Sequence, residues 1–93
     1  MAEADDKGGA PGRVMPLTMA HIGQEVALAA MHGGRGFLHR MAEMGLTPGV
    51  RFRVMSRGAP GPFIVSLKGM RLVLGRGLAH RMLVKVVEGP PPP

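Results

Sequence analysis

Residues 63–74 read FIVSLKGMRLVL, two apolar runs parted by Lys68-Gly69. A two-residue break ending in Gly is the spacing of a tight hairpin, because Gly adopts without penalty the positive φ that such a turn demands. The stretch therefore predicts strands over Phe63–Leu67 and Met70–Leu74. Upstream, Val50, Phe52 and Val54 alternate with Arg51, Arg53 and Met55. That period of two describes a strand with one buried and one wet face, so Arg51 and Arg53 should point outward together. Gly58-Ala59-Pro60-Gly61-Pro62 joins this strand to the hairpin as a loop.

Further upstream the period changes. In RGFLHRMAEMG (35–45) the residues Phe37, Leu38, Met41, Ala42 and Met44 follow helical spacing, and Gly45 stands where a left-handed residue ends a helix. Thr47-Pro48-Gly49 turns the chain. Before the helix, Glu25–Met31 is a strand candidate with Val26, Leu28 and Ala30 on one face. Downstream, GRGLAHR (75–81) has room for one helical turn, and Met82–Val87 closes the fold with Met82, Val84 and Val86 on one side. Five short strands and one inserted helix do not make a sandwich, and the chain is too short to cover both faces of an open sheet. A small, strongly bent five-stranded barrel with a short helical turn before the last strand resolves this, since closure removes edges and lets one core be shared. Phe37, Phe52 and Phe63 belong to that core. So do the dispersed methionines Met31, Met41, Met44, Met55, Met70 and Met82, whose flexible side chains fill irregular gaps.

The 93 residues make one small domain. Residues 1–13 (MAEADDKGGAPGR) lack apolar periodicity and read as a disordered leader; 14–88 is the folded domain; 89–93 is a proline tail. Twelve Lys and Arg against six Asp and Glu leave a formal charge of +6. Between Val14 and Glu88 ten cations face only Glu25, Glu43 and Glu88, about +7, so the basicity belongs to the domain itself. The absence of Cys excludes a disulfide framework, a thiolate nucleophile and any Cys-based metal site. No stretch reaches the roughly 18 apolar residues of a membrane span and no signal peptide opens the chain, which places it in the cytoplasm.

Catalysis needs groups that converge, and the three carboxylates and four hydroxyls of the folded segment (Thr18, Thr47, Ser56, Ser66) show no pairing; an enzyme is not expected. Gly33-Gly34-Arg35-Gly36 lacks the Lys-Ser/Thr of a phosphate loop and reads as a strand-to-helix turn. His39 and Glu43 lie four apart on one helix face, as a divalent-ion pair or as a solvated pair beside Arg40. Arg51, Arg53, Arg57, Lys68 and Arg71 form an anion-recognising set, with an acidic protein surface, anionic lipid headgroups or nucleic acid as candidate partners. Nucleic acid is disfavoured because stacking aromatics are wanting, and the lack of Tyr and Trp also argues against polyproline reading.

The string FLHRMAEMGLTPG (37–49), with Glu43-Met44-Gly45-Leu46 and then Pro48-Gly49, followed by Gly61-Pro62, Gly69, Leu72, Leu74, Ala79, Met82 and Val84, resembles the FeoA family over about Leu17 to Val87. The acidic leader and the proline tail have no counterpart in it. The resemblance implies an SH3-like barrel and a cytoplasmic accessory of ferrous iron uptake that engages the cytosolic G-domain region of an FeoB-type permease. It lends Fe²⁺ or another divalent metal to the His39–Glu43 reading. Related barrels end DtxR-type metal-dependent repressors, which gives the alternative of a metal-sensing or nucleic-acid-linked module. The expected docking surface is the basic strand face (Arg51, Arg53, Arg57, Arg71) or the helix from Arg35, with Leu38 and Met44 supplying apolar contact.

Overall fold

A computed structural model describes residues 13–58 and 61–88; the leader up to residue 12 and the proline tail lie outside the described residues. The order is β1 (Val14–Pro16), a 3-10 turn (Leu17–Met19), β2 (Glu25–Met31), α1 (Arg35–Glu43), β3 (Arg51–Ser56), β4 (Phe63–Leu67), β5 (Met70–Leu74), α2 (Arg76–His80) and β6 (Met82–Glu88). The strands form one antiparallel sheet in the order β1-β6-β2-β3-β4-β5. The expected mainly β, SH3-like architecture is therefore present, with six strands where five were expected. Val14–Pro16, too short to signal a strand in sequence, pairs with β6 through Val14↔Lys85 and Pro16↔Leu83. Among the described residues no ladder joins β1 to β5, so the sheet keeps two edges.

The alternation expected of the strands places the core on the inner face. Val26 pairs with both Phe52 and Val86, Leu28 with Val84, Val54 with Val65 and Phe63 with Leu74, and all of these are buried. Because each inward residue meets inward residues of its neighbours, the curled sheet fills its own interior. The 3-10 turn and α2 pack on each other and on β6, burying Leu17 and Ala79 completely. Arg57 Nη2 donates to the Thr18 carbonyl at 2.8 Å and Arg76 Nη1 to that of Gly58 at 2.8 Å, tying the end of β3 to both short helices.

The hairpin turn is as expected at Gly69 (φ 82°), and Lys68 joins it at φ 51°. Positive φ at both central residues is the tight-turn geometry whose twist matches the flanking strands. Two expectations about the core, one for the methionines and one for β2, fail. Met82 is buried and Met31 and Met41 lie against the core, but Met44, Met55 and Met70 are exposed. Ala30 leaves the Val26–Leu28 face because a register shift between Leu28 and Ala30 opposite β6 breaks the period of two, leaving Ala29 and Ala30 both half-buried.

Candidate docking surface

α1 is the element that the core does not absorb. Its C-terminus is well made: the Gly45 N–H donates to the Ala42 carbonyl and the Leu46 N–H to that of Met41, both at 2.9 Å, with Gly45 at φ 96°. This pair of bonds satisfies the last carbonyls and drives Leu46 into the core as the apolar residue that follows the cap. Gly45 also leaves room for Leu67, whose Cδ2 would lie 3.2 Å from a Cβ there. The N-terminus is weak. Gly34 offers no side-chain cap, and Arg35 occupies a first turn that holds no carboxylate to meet the dipole. A nine-residue helix is marginal alone in water, and no residue of α1 is buried.

Its apolar arc divides into two stripes. Phe37 and Met41 turn toward the body. The Phe37 ring lies against Gly33, so close that a Cβ there would sit 2.3 Å from Cδ2, and the Arg81 guanidinium stands 4.9 Å from the ring centroid. Arg81 is in turn fixed by its carbonyl, which accepts the His32 N–H at 2.9 Å. Phe37 is thus held between glycine and arginine at the surface, not in the core where it was expected; Phe52 and Phe63 are buried as expected. Leu38 and Ala42 form the other stripe. They face an apolar groove of about 270 Å³ whose opposite wall is Ala29, Ala30 and Met31 of β2, with Leu46, Thr47 and Pro48 at its end. The bulge that removed Ala30 from the core supplies that wall. The turn is tied to β2 by Gly49 N–H to the Leu28 carbonyl (2.7 Å) and Leu28 N–H to that of Val50 (2.8 Å).

Beyond Gly45 lies a smaller slot of about 110 Å³, lined by Met44, Gly45, Leu67, Lys68, Met70 and Leu72. Leu38 is 37% and Met44 45% exposed, so both sides of the helix end offer apolar contact to something outside the chain. Arg35 continues the Leu38–Ala42 stripe one turn toward the N-terminus and is exposed.

The other candidates disperse. Arg51 and Arg53 do share the outer face, but Arg53 Nη2 lies 3.1 Å from Glu25 Oε1 and its Nη1 donates to the Gly23 carbonyl. Arg57 is bound to Thr18 as described, and Arg71 is exposed across the sheet, joined to Arg53 through Ser66 in register. His39 Nε2 and Glu43 Oε2 stand 3.2 Å apart as a solvated pair. Among the described residues no group of three or more His, Cys, Asp or Glu is placed to hold a metal. Leu38 and Met44, expected as apolar contacts, line the groove and the slot, whereas the β2 wall and the Gly33–Phe37–Arg81 stack were not expected from the sequence. The spacing of Phe37–Met41 beside Leu38–Ala42, two stripes on one helix, was the available signal.

Fold and surface define a class: a small SH3-like β domain whose distinguishing feature is an apolar groove under a partly detached helix. Residues 15–86 match the FeoA domain, and the chain belongs to that family. A putative Fe(2+) transport protein A of Methanocaldococcus jannaschii is 37% identical over 73 residues, covering 78% of this chain and 88% of the relative. The crystal structure of an iron uptake regulatory protein (FeoA) superposes with a TM-score of 0.73 at 33% identity, covering 81% of this chain and all of that one. A manganese-dependent transcriptional repressor in complex with manganese superposes with a TM-score of 0.72 at 22% identity, over 84% of this chain and 38% of the repressor, a likeness of fold alone. The chain thus falls in a family associated with ferrous iron transport. No helix among the described residues is long and apolar enough to cross a membrane.

Proposed function

We propose that this chain is a cytoplasmic, non-catalytic accessory of ferrous iron uptake that docks on the cytosolic G-domain region of an FeoB-type permease and modulates transport. The observation that carries the reading is the state of α1: an amphipathic helix with no buried residue, whose Leu38 and Ala42 open onto the 270 Å³ groove. An apolar side chain of the partner entering this groove lies between Leu38 and Ala42 on one side and Ala29 to Met31 on the other, and apolar burial of that kind is where a few residues hold most of the binding energy. Met44 and its slot give a second anchor, and Arg35 beside the groove steers an acidic partner by long-range attraction.

Titration of the chain with the cognate permease's cytosolic domain tests this. Binding is expected, and Leu38→Asp should weaken it by roughly 30-fold or more, the effect of losing a central anchor. Because Leu38 lies outside the core, the variant keeps its melting temperature. Absence of binding at concentrations on the order of tens of micromolar, or full affinity in Leu38→Asp, would overturn the proposal.

A further inference from the structure

A second surface, separate from the groove, lies on the outer face of the sheet. The register sets two adjacent rows there. One runs Val14, Lys85, Ala27, Arg51 over β1, β6, β2 and β3; the other runs Glu25, Arg53, Ser66, Arg71 over β2 to β5. Neighbouring strands are about 4.8 Å apart, so Lys85 and Arg51 flank the small Ala27 at about 10 Å, and Arg53 and Arg71 flank Ser66 likewise. Lys85, Arg51 and Arg71 are exposed. Glu25, in register here, is held by Arg53, and the backbone of Glu88 pairs with that of Glu25 at the margin farthest from Arg71. Exposed valines border the cations: Val14 ends the first row, Val87 lies two residues from Lys85, and Val73 two residues from Arg71.

We infer that this face binds the surface of an anionic lipid bilayer. A protein partner needs pockets or aromatic anchors, and no residue of either row lines the groove or the slot. A nucleic acid needs stacking platforms, and Phe52 and Phe63 are buried while Phe37 is covered by Arg81. A bilayer needs neither. Long basic side chains over small residues can spread to several phosphates while valines touch the headgroup region, and each basic side chain strengthens partition about fivefold. The inference does not rest on the docking reading, because it uses different residues and a partner without protein.

Co-sedimentation of the full chain with vesicles decides it. Binding is expected to phosphatidylcholine vesicles containing about one quarter phosphatidylglycerol and not to phosphatidylcholine alone, with loss at high salt. Arg51→Gln with Lys85→Gln should lower partition roughly 25-fold. Arg35→Gln with Arg40→Gln removes the same charge from α1 and should cost less than a fifth of that. Absence of binding to anionic vesicles, equal losses in the two charge-matched pairs, or tighter binding to a single-stranded RNA oligonucleotide than to vesicles would each overturn the inference.

Discussion

The hairpin β4–β5 and the helix α1 each carry a periodic apolar pattern in sequence, yet one supplies part of the core and the other contributes nothing buried to it. The difference lies in what each faces. Phe63 and Val65 sit in rows that cross the sheet, with Leu74 and Leu72 beside them, so alternation finds a ready-made inner surface. Once the curled sheet has filled that surface with its own side chains, together with Leu17 and Ala79 of the short helical turns, no inner face remains for α1. α1 is held by Phe37 under Arg81, by Met41 against the core and by Leu46 beyond its cap, while Leu38 and Ala42 are left to line a groove. Apolar periodicity identifies a face that needs a partner; it does not say that the partner lies in the same chain.

Substitutions can break this contrast, starting with the strongest. Phe63→Ala should cost about 3–5 kcal/mol by chemical denaturation, because a fully buried ring leaves a cavity. Leu38→Ala should stay within about 0.5 kcal/mol of the parent; a core-sized loss there would mean that α1 is part of the core after all. On the outer face, Arg53→Ala should cost about 1 kcal/mol, since its bonds to Glu25 and the Gly23 carbonyl are only partly solvated, whereas Arg51→Ala should be near neutral.

Smaller effects address the helix itself. Gly33→Ala drives a Cβ into the Phe37 ring and displaces it from its seat against Arg81, and should cost about 0.5–1 kcal/mol. Amide exchange should quicken in α1 while the β4 amides stay protected. Gly34→Asp, at a position with open space for a Cβ, adds the missing cap and a favourable charge, and should raise stability by a few tenths of a kcal/mol. If it slowed exchange across the whole sheet rather than in α1, the two regions would be one cooperative unit.

Much of this was legible beforehand for local reasons. Lys68-Gly69 specified its turn by spacing, Gly45 ended α1 by backbone conformation, and the alternation over β3 assigned Arg51 and Arg53 to the outside. What was not legible depends on neighbours distant in sequence. The shift after Leu28 is imposed by pairing with β6, and nothing in Ala-Leu-Ala-Ala (27–30) announces it. Val14–Pro16 becomes a strand only because β6 offers an edge. Arg53 and Arg57, indistinguishable from Arg51 by type, are claimed by Glu25 and Thr18, which sequence does not place beside them. For the groove, sequence supplied the helix wall through Leu38, while the β2 wall needed the bulge.

The central claim is that α1 and the β2 wall form the docking groove, and amide chemical-shift mapping of the labelled chain tests it most directly as the cognate permease's cytosolic domain is added. Perturbations are expected to concentrate in residues 29–31, 35–42 and 46–48, with β4 little affected. Perturbations confined to the outer rows around Arg51, Arg71 and Lys85, with 35–48 unmoved, would contradict it.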